Sequence, residues 1–213
     1  MSLLRLAIGF GIALTLSLSL SAPAGAGKCP NLAIVLDKSD SMLGDLAGNT
    51  PPQSGQKTRW QIAKGGLATV LNTYDGQLPI GLALYPTDNM CATSGFRVAP
   101  AYNTKNAINS VLVADPQTGA GTPTCGAIQG VANDPAMKDA SRGQYILLVT
   151  DGDPNCTNCG AASPLAGTVN AITAAAAASP PIKTFVIGFG GNLPGTLKSN
   201  LDMMARAGGV PNP

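Results

Sequence analysis

The chain has 213 residues, of which 45% are hydrophobic and 11% are charged, and its formal net charge is +2. This length favours one domain with a sizeable core, and so small a net charge indicates no nucleic-acid partner. Histidine is absent from the sequence. Its absence excludes Ser-His-Asp and Cys-His catalysis and histidine-based zinc sites, so a metal site would use oxygen or sulfur ligands.

The N-terminus has the pattern of a secretory signal peptide. Arg5 precedes an uncharged run at 6–20, and the small residues Ala22, Ala24 and Ala26 follow. An uncleaved anchor helix is the alternative, but the run is short for a span of about 20 residues. We therefore predict a signal peptide at 1–26 and a mature domain at 27–213. The mature protein is expected to be secreted, periplasmic or on the cell surface, without a stable membrane span.

Apolar runs alternate with helical patterns along the mature chain. The runs are typical of strands buried on both faces of a parallel sheet, and the helical segments repeat apolar residues at intervals of three and four. Thr58 and Gln61 form a predicted capping box at the first helix. The sequence predicts an α/β fold with a doubly wound, mostly parallel sheet flanked by helices. Its predicted strands are 32–36, 80–85, 96–100 as a short edge strand, 145–150 and 182–189, and its predicted helices are 60–74, 166–178 and 197–204.

Oxygen-bearing side chains follow the predicted strands where ligands bind in such sheets. Asp37, Ser39 and Ser41 follow the first strand, Thr122 opens a helical pattern, and Asp151 follows the strand at 145–150. Taken singly, each has a structural explanation: turn residues, a helix N-cap before proline, and a turn at a strand end. Together they predict a site for Mg²⁺, which prefers hard oxygen ligands.

These motifs resemble those of the von Willebrand factor A (vWA) family. Residues 34–42 are similar to its first metal motif, 121–124 to its threonine loop and 148–152 to its second aspartate motif. In the family these motifs form the metal-ion-dependent adhesion site. The resemblance covers roughly 30–209 and implies a vWA fold, Rossmann-like in its doubly wound architecture.

The resemblance also implies roles for the five residues. Ser39 and Ser41 would bind the metal directly, Asp37 and Asp151 would act mainly through water, and Thr122 would engage according to conformational state. The ion would be Mg²⁺, with Ca²⁺ or Mn²⁺ as alternatives. Its open position would accept a Glu or Asp carboxylate from a protein ligand.

Two features depart from the family pattern. Asp40 stands where the family usually has glycine, and its charge could strengthen cation binding, favour Ca²⁺ or weaken an acidic ligand. The family also continues beyond the Gly208-Gly209 stretch with one more strand and a C-terminal helix. We expect this chain to lack these two elements and therefore to have an unpaired sheet edge.

Five cysteines are present, an odd number that leaves at least one thiol unpaired or paired between chains. Cys156 and Cys159 could form a redox pair or half of a zinc site, but the polar sequence around them favours a structural loop disulfide. With the vWA resemblance, we predict Cys91–Cys125 and Cys156–Cys159 bonds. Cys29 is then the unpaired thiol.

The sequence therefore favours a binding module over an enzyme. The main prediction is a secreted, metal-dependent adhesion or protein-binding domain that captures a carboxylate. One alternative is a thiol-disulfide redox module that uses Cys156 and Cys159. Another is a structural scaffold whose metal site is no longer functional. Metal-assisted hydrolysis is the weakest reading, because no general base is evident beside the predicted ion.

Overall fold

The computed structural model describes residues 28–156, 159–191 and 193–210. The predicted signal peptide lies outside these residues. Within them, no helix combines the length and apolar character needed to cross a bilayer.

The described residues form one five-stranded sheet with helices on both faces. The strands are β1 (Lys28–Asp37), β2 (Ile80–Tyr85), β3 (Val98–Ala101), β4 (Arg142–Thr150) and β5 (Ile182–Gly188). The helices are α1 (Arg59–Tyr74), α2 (Lys105–Val111), α3 (Thr124–Ala132), α4 (Pro164–Ala176) and α5 (Gly195–Ala207), with short 3-10 turns at Asp40–Leu43 and Pro135–Met137.

The sheet order is β3-β2-β1-β4-β5. β1 is parallel to both β2 and β4, and β4 is parallel to β5. β3 alone runs antiparallel, along the outer side of β2. The predicted doubly wound, mostly parallel α/β sheet is therefore confirmed. The order changes direction at β1, so β1 and its neighbours define the edge where a site is expected.

Alternate residues of β1 face two separate cores. Ala33 and Val35 pack with α3, α4 and α5 on one face of the sheet. Ile34 and Leu36 pack with Trp60 and other residues of α1 on the opposite face. Burial on both faces explains why β1 is a continuous apolar run rather than an alternating one.

Local sequence signals set several helix ends. The capping box at α1 is present, because the Thr58 side chain accepts from the Gln61 amide and the Gln61 side chain accepts from the Thr58 amide. The position of Thr122 before a proline suggested that it is the N-cap of α3, but the structure shows otherwise. Pro123 takes that position and α3 begins at Thr124.

β5 forms one outer edge of the sheet among the described residues. Phe185 and Ile187 on this strand remain 43% and 44% exposed. This open edge agrees with the expectation that the last strand of the vWA pattern is not present in the described chain.

Candidate functional site

The two predicted carboxylates lie side by side at the ends of adjacent strands. Asp37 is the last residue of β1 and Asp151 directly follows β4. β1 and β4 pair in parallel, with Leu36 opposite Val149. Asp37 is fully buried and Asp151 is 5% exposed. Parallel pairing thus brings together two acidic residues that are 114 positions apart in the sequence.

The serine loop links these two carboxylates. The Ser39 amide donates to Asp37 Oδ1 at 2.8 Å, which turns the loop back over the end of β1. Ser39 Oγ lies 3.1 Å from Ser41 Oγ, and Ser41 Oγ donates to Asp151 Oδ1 at 2.6 Å. Alternate residues of this tight turn therefore converge on one point, as their spacing indicated.

The threonine loop is joined to both of the other loops. The Asp40 amide donates to the Ala120 carbonyl at 2.9 Å. The Thr122 amide donates to Asn155 Oδ1 at 2.9 Å, and Thr122 is 3% exposed. The structure thus brings the loops that carry Asp37, Ser39, Ser41, Thr122 and Asp151 to the same edge of the sheet.

Burial and like charge act together on Asp37. Burial, as the larger cause, and the negative charge of Asp151 raise its pKa from 3.8 to about 7. Hydrogen bonds from Ser39 and Thr150 favour the charged form and oppose this rise. The Thr150 hydroxyl donates to Asp37 Oδ2 at 2.6 Å. Two close carboxylates in a buried setting are a local excess of negative charge, which a divalent cation would relieve.

The residues at this edge fit a hard cation. They supply carboxylate and hydroxyl oxygens, the ligands that Mg²⁺ and Ca²⁺ prefer. Oδ1 of the neighbouring Asp40 is buried and finds no hydrogen-bond partner in the described part of the chain. A further carboxylate oxygen therefore lies beside the cluster. The described residues contain no group of three or more His, Cys, Asp or Glu side chains placed to hold a metal. A cation here would therefore depend on the hydroxyl oxygens as well.

Arg59 is a site residue that sequence reasoning missed. Its Nη1 donates to Asp151 Oδ2 at 2.6 Å, and the side chains of Arg59 and Asp151 are 14% and 0% exposed, respectively. The same nitrogen lies 3.4 Å from the Ser41 carbonyl. Arg59 is the first residue of α1, so the capping box at Thr58 fixes its position. That box was visible in the sequence, but nothing in the sequence paired Arg59 with an aspartate 92 residues away.

The predicted disulfide pairing is wrong. The bonds join Cys91 to Cys156 and Cys125 to Cys159, with Cα–Cα distances of 5.8 and 6.3 Å. The loop after Asp151 crosses the threonine loop, so its two cysteines meet different partners instead of each other. Cys156 and Cys159 are therefore not a two-cysteine redox pair, and the redox reading is not supported. Cys29 is a free, exposed cysteine as predicted, although it lies within β1.

These disulfides hold the site loops close together. A Cβ built on Gly121 would clash with Cys156 Sγ and would lie 3.1 Å from Cys91 Sγ. Only glycine therefore fits directly before Thr122, and the bond packs against the backbone of the threonine loop. The second bond anchors the start of α3, because Cys125 is buried there.

Replacing Cys125 and Cys159 together by Ala should lower the free energy of unfolding by about 3–4 kcal/mol, the range for a loop of this size. The sequence separation of the bonded cysteines is 34 residues. Urea denaturation followed by circular dichroism measures the change. Cys29→Ser is the matched control, with an expected change within about 0.5 kcal/mol. A double variant as stable as this control would show that the bond contributes little.

No family model and no curated protein sequence matches the chain. Solved structures do match. A minor pilin of Streptococcus sanguinis, PilB, is 18% identical with a TM-score of 0.59, over 89% of this chain and 57% of the pilin. The chain thus spans a little over half of that pilin.

Two further structures share the fold. Proximal thread matrix protein 1 from the mussel byssus, solved with a zinc-occupied MIDAS motif, is 16% identical with a TM-score of 0.53, over 84% of this chain and 43% of that one. The VWA domain of SpRpn10 is 11% identical with a TM-score of 0.50, over 83% and 82% of the two chains. The sheet order, the helices on both faces and these likenesses lead to one conclusion: this chain has a vWA-like fold.

Proposed function

We propose that this protein is an exported binding module that uses a divalent cation to capture a carboxylate of a protein partner. The cation, Mg²⁺ in the first place, would be held by Asp37, Ser39, Ser41, Thr122 and Asp151. When bound, the ion supplies an electrophilic position that accepts a Glu or Asp side chain. Ca²⁺ and Mn²⁺ are alternative ions for the same oxygen ligands.

One observation carries this proposal. The Ser41 hydroxyl lies between the Ser39 hydroxyl, at 3.1 Å, and Asp151 Oδ1, at 2.6 Å. This short chain of oxygens joins the β1 loop to the β4 loop beside the buried Asp37 carboxylate. A turn that served the backbone alone would not need to pair two hydroxyls and aim one of them at an acid from another strand.

Other findings support the binding role and the export. The chain shares its fold with a pilin and with a byssus protein whose MIDAS motif holds zinc. Two disulfides connect the loops of the site, and disulfides persist in oxidising compartments. These findings support our proposals that the protein acts outside the cytoplasm after removal of residues 1–26, and that its role is binding rather than catalysis.

Ser39→Ala and Asp151→Ala should abolish the stabilisation that Mn²⁺ or Mg²⁺ gives to the protein. Each change removes an oxygen that the proposed ion needs. Thermal unfolding with and without millimolar cation measures the effect through the linkage of binding to stability. Ser110→Ala and Asp202→Asn are matched controls, since both residues are exposed on helices away from the site.

The same variants test ligand capture. A pull-down from native extracts with immobilised wild-type protein should recover a partner that is lost with chelator and with Ser39→Ala. If wild-type protein gains no stability from any of the three cations, the scaffold reading is correct and the proposed function fails. Capture that persists equally in chelator would also refute a metal-dependent mode.

A further inference from the structure

Arg59 places a fixed positive charge on a proposed cation ligand. Its guanidinium lies 2.6 Å from Asp151 Oδ2, while Ser41 occupies the other oxygen of the same carboxylate at 2.6 Å. The Asp151 side chain is 0% exposed and that of Arg59 is 14% exposed, so water screens the pair little. Arg59 and a cation in the site would therefore interact strongly.

The surroundings of Arg59 hold it in this position. Its backbone amide donates to the Gly44 carbonyl at 2.8 Å, and a Cβ built on Gly48 would lie 3.6 Å from Arg59 Nη2. Arg59 Nε is buried and has no hydrogen-bond partner among the described residues. A buried guanidinium with an unsatisfied N–H is costly unless its charge is used. A positive charge on an exposed side chain such as Lys57, two residues earlier, would carry no such burial cost.

We propose that Arg59 sets the charge of the cation site. This inference rests on the proposed function, because it concerns how the same site balances cation and ligand affinity. A divalent ion together with the ionised side chains of Asp37 and Asp151 has no net charge, and Arg59 makes the sum +1. If Asp40 is also counted, Arg59 makes the sum zero instead of negative. In both counts, Arg59 weakens cation binding and makes the loaded site more attractive to an acidic ligand.

Arg59→Gln removes the positive charge and keeps a polar side chain at this position. We expect the affinity for Mg²⁺ or Mn²⁺ to rise by about tenfold or more, because a like charge within a few ångströms of the ion is removed. The metal-free variant should also unfold at a lower temperature, since Asp151 loses its partner. Saturating cation should then raise its melting temperature more than it does for wild type.

Arg59→Lys and Lys57→Gln are the matched comparisons. The first keeps the charge at the site and should keep the affinity within about threefold of wild type. The second removes a nearby exposed charge and should leave the affinity unchanged. Arg59→Met keeps the apolar stem of the side chain and serves as a second neutral variant if glutamine disturbs the fold.

Acetate is the probe for the predicted effect of Arg59 on binding of an acidic ligand. Titrating acetate into the Mn²⁺-loaded proteins, followed by the Mn²⁺ electron paramagnetic resonance spectrum, should show binding at least several-fold weaker to Arg59→Gln than to wild type. Wild-type protein that binds cation, beside a folded Arg59→Gln with equal or lower cation affinity, overturns this inference and leaves the proposed function standing. Wild-type protein that binds no cation overturns both.

Discussion

Asp37→Asn should stabilise the cation-free protein at pH 8 while abolishing its cation binding. Burial and the charge of Asp151 raise the pKa of Asp37 to about 7, so the ionised carboxylate destabilises the fold at pH 8. Removing that charge should raise the free energy of unfolding by about 2–4 kcal/mol. The amide retains the hydrogen bond from Ser39, and the Thr150 hydroxyl can rotate to accept from the new NH₂ group.

Urea denaturation in chelator gives the stability, and calorimetric titration with Mg²⁺ gives the binding. Asp202→Asn removes an exposed carboxylate and should change neither quantity by more than about 0.5 kcal/mol. A folded Asp37→Asn protein that is less stable than wild type in chelator would mean that the buried charge is already compensated. Undiminished Mg²⁺ binding in the variant would show that Asp37 does not belong to the cation site.

The contribution of Asp37 to the stability of the cation-free protein should fall as pH rises from about 4 to about 7. The folded-state pKa of Asp37, about 7, lies above the ordinary value of 3.8. The native state therefore binds more protons than the unfolded state in this window. Since stability decreases with pH wherever the native state holds the extra proton, the Asp37 contribution is complete below about pH 4 and is lost above about pH 7.

Cation affinity should show the opposite trend over the upper part of the same range. Protons and cation compete for the Asp37 carboxylate, so affinity should fall by about tenfold for each pH unit below 7. Calorimetric titrations at pH 6, 7 and 8 measure this dependence, and chemical denaturation in chelator measures the stability. Other groups titrate as well, and Asp37→Asn isolates the effect by subtraction. Identical stability slopes for wild type and this variant between pH 4 and 7 would contradict the account.

The fold was readable from the sequence because its central strands are buried on both faces. The apolar runs at 32–36 and 80–85 fall within β1 and β2, and Thr58 with Gln61 marks the start of α1. The short helix α2 was missed, because Lys105–Val111 buries only Ile108 and shows little periodicity. Strand starts were also imprecise: β4 begins at Arg142, three residues before its apolar run at 145.

Only part of the candidate site could be predicted from the sequence. Residues that directly follow strands, such as Asp37 and Asp151, could be placed together because parallel strands end at a common edge. Contacts made by loops that cross each other could not be predicted in this way. The Cys91–Cys156 bond depends on the path of the loop after Asp151, and the Arg59 ion pair depends on how α1 begins beside that loop. Neither path leaves a local pattern in the sequence.

The most direct test of the proposed cation site is a crystal structure of residues 27–213 grown with Mn²⁺, with anomalous diffraction used to locate the ion. The proposed site predicts one strong anomalous peak at the edge where β1 and β4 end, in direct contact with the hydroxyl oxygens of Ser39 and Ser41 and beside Asp151. Well-ordered loops with no peak at this edge, or a peak only on another face of the sheet, would contradict it.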